Sequence, residues 1–521
     1  SNNVFSSSVH FSDWSILGEM VGKESRHKYT EFLIQKKDKL LLGLIFVIGI
    51  VLRFLWIDSR DIAYDDAFSY FLARSDLLTI ISGTLADTMP PLYYFLLHFW
   101  IKISSNLWYL RLLNILINLF TAILVYKLAK QLFSGKTASI AFLLFLISPF
   151  QIYHSQELRM YSLLLMGQVG FFYAIFKTIN LENKNYNLWI LMAVFFGTVS
   201  VYAHNLGFFG LLSINIILFF KRGKSLFIKL LIPQLFILLL STPWLFFLPQ
   251  QINKVQQAFW TVEPGLIDII QGLLTLFSFL PMPIIFMGIV LIIIIQSLII
   301  TVVYLFRIKN KNYCIVFLFF IFPPILLFIM SYLIQPVFVP RIFISSAVWF
   351  FLLISSFIAE SWNKGIGKLN LVLFIFISCI SLPIFYKFND FPRSPFKELS
   401  GFIQTEYNNS TPIIHDNKLS FFPVMFHSET ENQYYLMDIQ GSPNDTLAYK
   451  SQLALGYTAM ENIEKFLNED TLVFITFQKT LDEYQSLGVT HPILKILGER
   501  YKQEINKIVI GDLIVFSYGD K

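Results

Sequence analysis

Polar and apolar positions in this chain fall into long blocks instead of interleaving at the short period of a soluble helix or strand. Apolar runs occupy roughly 40–57, 111–133, 137–151, 159–178, 188–204, 207–220, 228–248, 283–306, 313–335, 342–361 and 368–387. Each is near the length a helix needs to cross a bilayer, so the pattern predicts about eleven crossings. Between 58 and 110 the chain is too apolar for a free loop and too interrupted for a crossing. It holds Arg74, Asp76, Asp87, the turn Met89-Pro90-Pro91 and an aromatic run from Leu92 to Trp100. Aromatic residues in such numbers favour the interface, which predicts a large first outer loop with one or two helices lying on the membrane surface. Gly265 to Leu280 reads as a surface or re-entrant helix, because an extra crossing there would break the alternation of sides.

After Asn389 the blocks give way to a mixed pattern. Pro412 to Asp416, Tyr434 to Asp438 and Leu472 to Phe477 read as short buried strands, Ala459 to Asn468 as a helix, and Glu504 to Tyr518 as a hairpin turning at Gly511-Asp512. The chain thus divides into a polar segment 1–39, a mainly α transmembrane region 40–388 and a small α/β domain 389–521.

Composition agrees with the blocks. With 55% apolar residues, 14% charged residues and a mean hydropathy of +0.61, too few polar side chains are present to cover a soluble domain of this size. The net charge of +6 is small for 521 residues, and basic residues sit in short loops, which argues for membrane orientation and against nucleic-acid binding. Lys23, Arg26, Lys28, Lys36, Lys37 and Lys39 crowd before the first run, predicting a cytoplasmic N-terminus. Lys127, Lys130 and Lys136, then Lys177 and Lys184, then Lys221, Arg222, Lys224 and Lys229, then Arg307, Lys309 and Lys311, and finally Lys364 and Lys368 all fall on the same side. An odd number of crossings sends the domain after Asn389 to the outer face of the cytoplasmic membrane. The two cysteines, Cys314 and Cys379, lie inside apolar runs, so neither a disulfide framework nor a CxxC metal site is expected.

Candidate chemistry gathers on that outer face. Asp65-Asp66 follows the first run, and two adjacent carboxylates disfavour each other's ionisation, which suggests chemistry or metal binding. The competing reading is a helix N-cap, for which Asp is favoured. Ser148 to Tyr161 holds His154, Glu157 and Arg159 in one short turn; Tyr202-Ala203-His204-Asn205 and Gln335 to Arg341 end on the same face. Taken singly, Arg159 and Arg341 could anchor helix ends and His204 could be a satisfied interfacial histidine.

The order of these pieces resembles the bacterial glycosyltransferases of the protein O-mannosyltransferase and aminoarabinose transferase superfamily, glycosyltransferase family 39-like enzymes with the GT-C fold. The pieces are the acidic pair, Pro90-Pro91-Leu92-Tyr93-Tyr94, Ser148-Pro149-Phe150 with Tyr153 to Tyr161, the Tyr-x-His at 202–204 and Pro340-Arg341. The resemblance implies transfer of a sugar from a polyprenyl-phosphate carrier to a hydroxyl acceptor, be it glycan, lipid or protein. It implies Asp65 as the base, with Asp66 as the acid beside it; Glu157 is a further catalytic candidate, though it could pair only with Arg159. Arg159, Tyr161, His154, His204, Arg341 and Tyr93 are the candidate substrate-binding residues. Met89 stands where the family commonly has Lys or His, which leaves phosphate neutralisation to Arg159, Arg341 or another base. No metal ligand set is assigned, and a divalent cation stays open as a cofactor. Gly135-Lys136-Thr137 lacks the earlier glycine of a nucleotide-binding loop, in keeping with a lipid-linked donor. A flippase or transporter, and a non-catalytic assembly subunit, are the competing classes. The first would call for polar residues at mid-membrane or an internal repeat, neither of which the pattern shows clearly.

Overall fold

A computed structural model describes residues 36–179, 185–251, 263–334, 336–387, 394–439, 442, 445–501 and 503–519. The expected N-terminal segment lies almost wholly outside these residues, as does Gln335.

The first helix, α1, covers 36–54, beginning four residues earlier than its apolar run. Three helices fill the outer loop: α2 (Tyr64–Arg74), α3 (Leu77–Ala86) and α4 (Leu92–Ile101). The bundle continues with α5 (Leu107–Leu132), α6 (Gly135–Ile147), α7 (Pro149–Ser155), α8 (Tyr161–Ile179) and α9 (Tyr186–Ala203). Next come α10 (Gly207–Phe220), α11 (Lys224–Leu245), α12 (Leu266–Leu274), α13 (Ile284–Arg307), α14 (Lys311–Leu333), α15 (Ile344–Glu360) and α16 (Ile366–Lys387). Among the described residues, α5, α8, α9, α11, α13, α14 and α16 are long and apolar enough to cross a membrane. The pair α6–α7, bent by 58° at Ser148-Pro149, makes an eighth. The other three expected crossings are helical as well, but α10 and α15 are shorter, and α1 carries Lys36, Lys37, Asp38, Lys39 and Arg53. The chain is an integral, multi-pass membrane protein. Helix α12, nine residues long, rises about 14 Å and cannot cross.

Sequence reading found no clear polar residues inside the spans, and here the structure corrects it. Arg111, Asn114, Asn118 and Thr121 recur at helical spacing along α5 and are fully buried. Arg53 of α1 meets this stripe: its Nε and Nη2 donate to Asn118 Oδ1 at 3.0 and 2.7 Å, and Nη1 donates to the Gly49 and Leu146 carbonyls at 2.9 Å. Gly49 permits that approach, since a Cβ there would come within 2.5 Å of Leu146 Cδ2. Through Arg53 and Asn118 this stripe joins α1 to α5, and Arg53 reaches α6 at Leu146.

The C-terminal domain, the outer domain of the expected topology, is built from α17 (Phe396–Glu406), β1 (Ile413–His415), α18 (Lys418–His427), β2 (Gln433–Tyr435), α19 (Tyr449–Leu455), β3 (Thr471–Phe477), α20 (Gln478–Ser486), α21 (Pro492–Arg500), β4 (Gln503–Ile510) and β5 (Leu513–Gly519). Its sheet has the order β2-β1-β3-β5-β4, with β1 parallel to both β2 and β3 and the hairpin β4–β5 antiparallel. Strand β3 is buried on both faces, Leu472 and Phe474 entering one core and Val473 and Ile475 the other. The expected helix over 459–468 does not form. Met460 N donates to Tyr435 O and Met460 O accepts from Met437 N, so the edge of β2 takes that backbone and leaves one 3-10 turn, Glu464–Phe466. Tertiary pairing has overridden local helix propensity there.

Candidate active site

The acidic pair sits in the first turn of α2, not before it. Ala63 occupies the N-cap and makes no side-chain cap bond, so the capping reading of Asp65 and Asp66 is set aside. The two carboxylates then part. Asp66 is buried and its Oδ1 accepts the Leu158 N–H at 2.9 Å. Asp65 is 49% exposed at the side chain and its Oδ2 lies 3.9 Å from Arg341 Nη1.

The turn between α7 and α8 is held from several directions. Gln156 Nε2 donates to Arg53 O at 2.8 Å and its Oε1 accepts from Arg60 Nη2 at 3.1 Å. Asn114 Nδ2 donates to the carbonyls of Glu157 and Arg159. With Asp66 on Leu158, almost every residue of Gln156 to Arg159 is fixed by a buried polar partner, which suits a turn that must hold side chains to a geometry. Arg159 is buried, and its Nη1 approaches the Asp65 carbonyl at 3.5 Å. Asp65 therefore stands between two guanidiniums, Arg341 at its carboxylate and Arg159 at its backbone.

Beside this cluster lies a cavity of about 540 Å³. At its polar end are Tyr161, His204, Arg341 and Gln251; its walls include Leu164, Phe208, Leu238, Leu327 and Met330. Leu212, Leu238 and Ile334, which also line it, are about half exposed on the outside of the bundle, so the cavity reaches the surface of the bundle. Arg341 lies 5.9 Å from the Tyr161 ring centre, and Tyr161 is 5.9 Å from the His204 ring. His204 Nδ1 accepts from Leu206 N at 3.0 Å, which fixes the neutral tautomer with Nε2–H as donor. Met89 lines the cavity too, in the place where a basic residue was looked for.

Six candidates do not line the cavity: Asp65, Asp66 and Arg159 in the cluster beside it, and Tyr93, His154 and Glu157. Tyr93 is fully buried and its hydroxyl accepts from Asn114 Nδ2 at 3.1 Å, so it supports the turn behind the site; a side chain shut in that way has no surface to offer a substrate. His154 and Glu157 pair with each other, Nδ1 to Oε2 at 2.8 Å, and the His154 ring packs on Tyr161 at 5.1 Å.

Sequence reasoning missed Tyr94 and Asn205. The Tyr94 hydroxyl is buried with no hydrogen-bond partner among the described residues, and its charged neighbours are Arg159, Asp87 and Asp65. Burial raises its pKa, so it stays a donor. Asn205 donates to Thr88 O at 2.7 Å and accepts from Trp244 Nε1 at 2.8 Å, tying the Thr88-Met89 turn to α11. The sequence signal was present in both, an aromatic pair after Pro-Pro and an Asn after His, but not which of two adjacent residues turns inward. Among the described residues no group of three or more His, Cys, Asp or Glu is arranged to hold a metal ion.

No curated protein matches this chain in sequence. The family model described as dolichyl-phosphate-mannose-protein mannosyltransferase matches residues 88–247, a stretch that holds the Pro-Pro turn, Gln156 to Tyr161 and His204 but neither Asp65 nor Arg341. In structure the chain is similar to ArnT from Cupriavidus metallidurans bound to undecaprenyl phosphate, with a TM-score of 0.61 at 10% identity, covering 91% of this chain and 97% of that one. It is also similar to the Archaeoglobus fulgidus oligosaccharyltransferase AglB in complex with an inhibitory peptide and a dolichol-phosphate, with a TM-score of 0.54 at 11% identity, covering 84% and 69%. The fold is that of the GT-C glycosyltransferases.

Proposed function

We propose, taking the GT-C fold as the starting point, that this chain is a membrane glycosyltransferase that moves a sugar from a polyprenyl-phosphate donor to a hydroxyl of a glycan, lipid or protein on the outer face. The observation that carries this is the cavity: an apolar passage reaches from the surface of the bundle to Arg341, and Arg341 lies 3.9 Å from the half-exposed carboxylate of Asp65. A polyprenyl chain is all hydrocarbon and its phosphate is anionic, so one end of the passage suits each part. The relatives in structure hold undecaprenyl phosphate and dolichol-phosphate, which supports the same donor class here.

In the proposed reaction the acceptor oxygen attacks the anomeric carbon while Asp65 takes its proton. The bond from the anomeric carbon to the phosphate oxygen breaks, and the electron pair leaves with the carrier phosphate. That phosphate gains negative charge as it departs, and Arg341 with Arg159 stabilises it. Displacement in one step inverts the anomeric centre. A donor phosphate competes with Asp65 for Arg341, so binding the donor also releases the base from its ion pair. Asp66 holds α2 against the Leu158 turn. Purified protein incubated with a polyprenyl-phosphate sugar labelled in the sugar tests the proposal: released carrier phosphate and label on an acceptor support it, and donor that is bound or moved but never cleaved favours the transporter class.

A further inference from the structure

Helix α2, which carries Asp65, is held between two bodies. The bundle holds it through Asp66 and Leu158 N. The outer domain packs on it through aromatic side chains: Tyr64 and Phe71 lie 5.9 and 5.7 Å from Phe422, and Tyr70 lies 4.8 Å from Phe426. Phe422 and Phe426 both belong to α18.

Just ahead of α2 one carboxylate collects contacts from every side. Asp61 Oδ1 accepts from the following Ile62 N at 2.7 Å and faces His427 Nε2 at 2.5 Å, while Oδ2 accepts from Lys397 N at 2.5 Å. His427 is the last residue of α18 and Lys397 lies in the first turn of α17, so both belong to the outer domain. From the bundle, Arg111 Nη2 of α5 donates to the carbonyls of Arg60 and Asp61 at 2.9 and 3.4 Å. Asp61 and His427 are 11% and 14% exposed, and a carboxylate so nearly buried is costly unless paired. Asp61 lies three residues before Tyr64, the first residue of α2, so its contacts anchor the short extended segment that leads through the Ala63 N-cap into the helix.

We infer that Asp61 and His427 are positioning residues through which the outer domain fixes Asp65 against the cavity, making that domain part of the catalytic apparatus and not an appendage. This rests on the glycosyltransferase reading above, and it goes beyond it by assigning the outer domain a share in turnover. A positioning role alters the rate of the chemical step and leaves donor binding alone, because the cavity and Arg341 belong to the bundle. A stability contact would instead change binding and turnover together.

The test compares full-length wild-type protein, Asp61→Ala, Asp61→Asn, His427→Ala and the double alanine variant, in lipid discs. Turnover of a polyprenyl-phosphate sugar and binding of a carrier-phosphate analogue are both measured. Asp61→Ala should lower kcat by about 10- to 100-fold, the scale set by a misplacement near 1 Å, with KM for donor and analogue affinity within about twofold of wild type. Asp61→Asn keeps an acceptor oxygen for Lys397 N and a group able to pair with His427, and should recover most of the rate. The double variant should be no slower than the slower single one, as expected of two halves of one contact. Wild-type kcat in Asp61→Ala overturns the inference, as does a parallel loss of kcat and analogue affinity that Asp61→Asn fails to rescue. A wild-type protein that cleaves no donor sinks the glycosyltransferase reading itself, and this inference with it.

Discussion

Single residues separate the catalytic from the structural readings most sharply. Because Ala63 caps α2, neither alanine nor asparagine at Asp65 removes a cap. We predict that Asp65→Asn and Asp65→Ala both unfold within about 0.5 kcal/mol of wild type, as for a surface change. Both should lose about two to four orders of magnitude in turnover, the usual contribution of a positioned base. Asp66→Asn should be much milder, since an amide oxygen still accepts Leu158 N–H. For the arginines, Arg341→Ala should weaken binding of a carrier-phosphate analogue by about 1.5–3 kcal/mol, and Arg341→Lys should restore little of it, because an ammonium lacks the planar fork. Equal affinity in both variants would return Arg341 to helix anchoring. A third prediction concerns pH. His415 is fully buried between Ser420 Oγ and Gln433 Oε1, and burial pushes its pKa down to about 4. Unfolded, an imidazole titrates near 6.5, so the unfolded chain binds a proton that the folded domain refuses. The contribution is whole above about pH 6.5 and is lost as pH falls toward about 4. Thermal unfolding between pH 7.5 and 4.5 should therefore show a decline that His415→Gln flattens; an unchanged slope would contradict the account.

At the scale of elements, what fixes the site is how helices join, and this was the least legible part of the sequence. The acids, the arginines and His204 stood out because each interrupts or ends an apolar run. Arg53, Asn114 and Asn118 stand out equally in the sequence, yet nothing local says that α1 meets α5 and that these groups satisfy one another. The same limit explains Tyr93 and Tyr94: α4 places neighbouring side chains about 100° apart, and only the packing decides which one faces Asp65. Asn118→Leu leaves the Arg53 guanidinium short of its main partner, with a loss of about 1.5–3 kcal/mol expected for a lost buried hydrogen bond to a charged group. Arg53→Met combined with Asn118→Leu removes charge and partner together, and should regain most of that stability. Thermal unfolding of the two proteins in one detergent decides it, and a double variant no better than the single one would show that the stripe serves something other than packing.

For the whole molecule, the block pattern gave the multi-pass helical class with a small C-terminal sheet, because hydropathy is read without any tertiary contact. It gave the order of three strands and the final hairpin for the same reason, since β3 is a continuous apolar run and Gly511 supplies the positive φ of the turn. The packing of the outer domain on α2 was invisible, since its aromatic side chains read equally well as an isolated core. Orientation follows from charge alone and can be checked by itself: with Cys314 and Cys379 replaced by serine, Lys479→Cys should react with an impermeant thiol reagent from the outer side of intact membranes. Labelling only after permeabilisation would invert the topology. The central claim concerns what the outer face does once a donor is bound. Wild-type protein and Asp65→Asn, each in lipid discs, should be given the same labelled polyprenyl-phosphate sugars and followed for both binding and release of carrier phosphate. The account predicts that Asp65→Asn binds donor at least as tightly as wild type, since Asp65 no longer competes for Arg341, and that only wild type cleaves it; equal cleavage by the two, or none by wild type across the sugars, would contradict it.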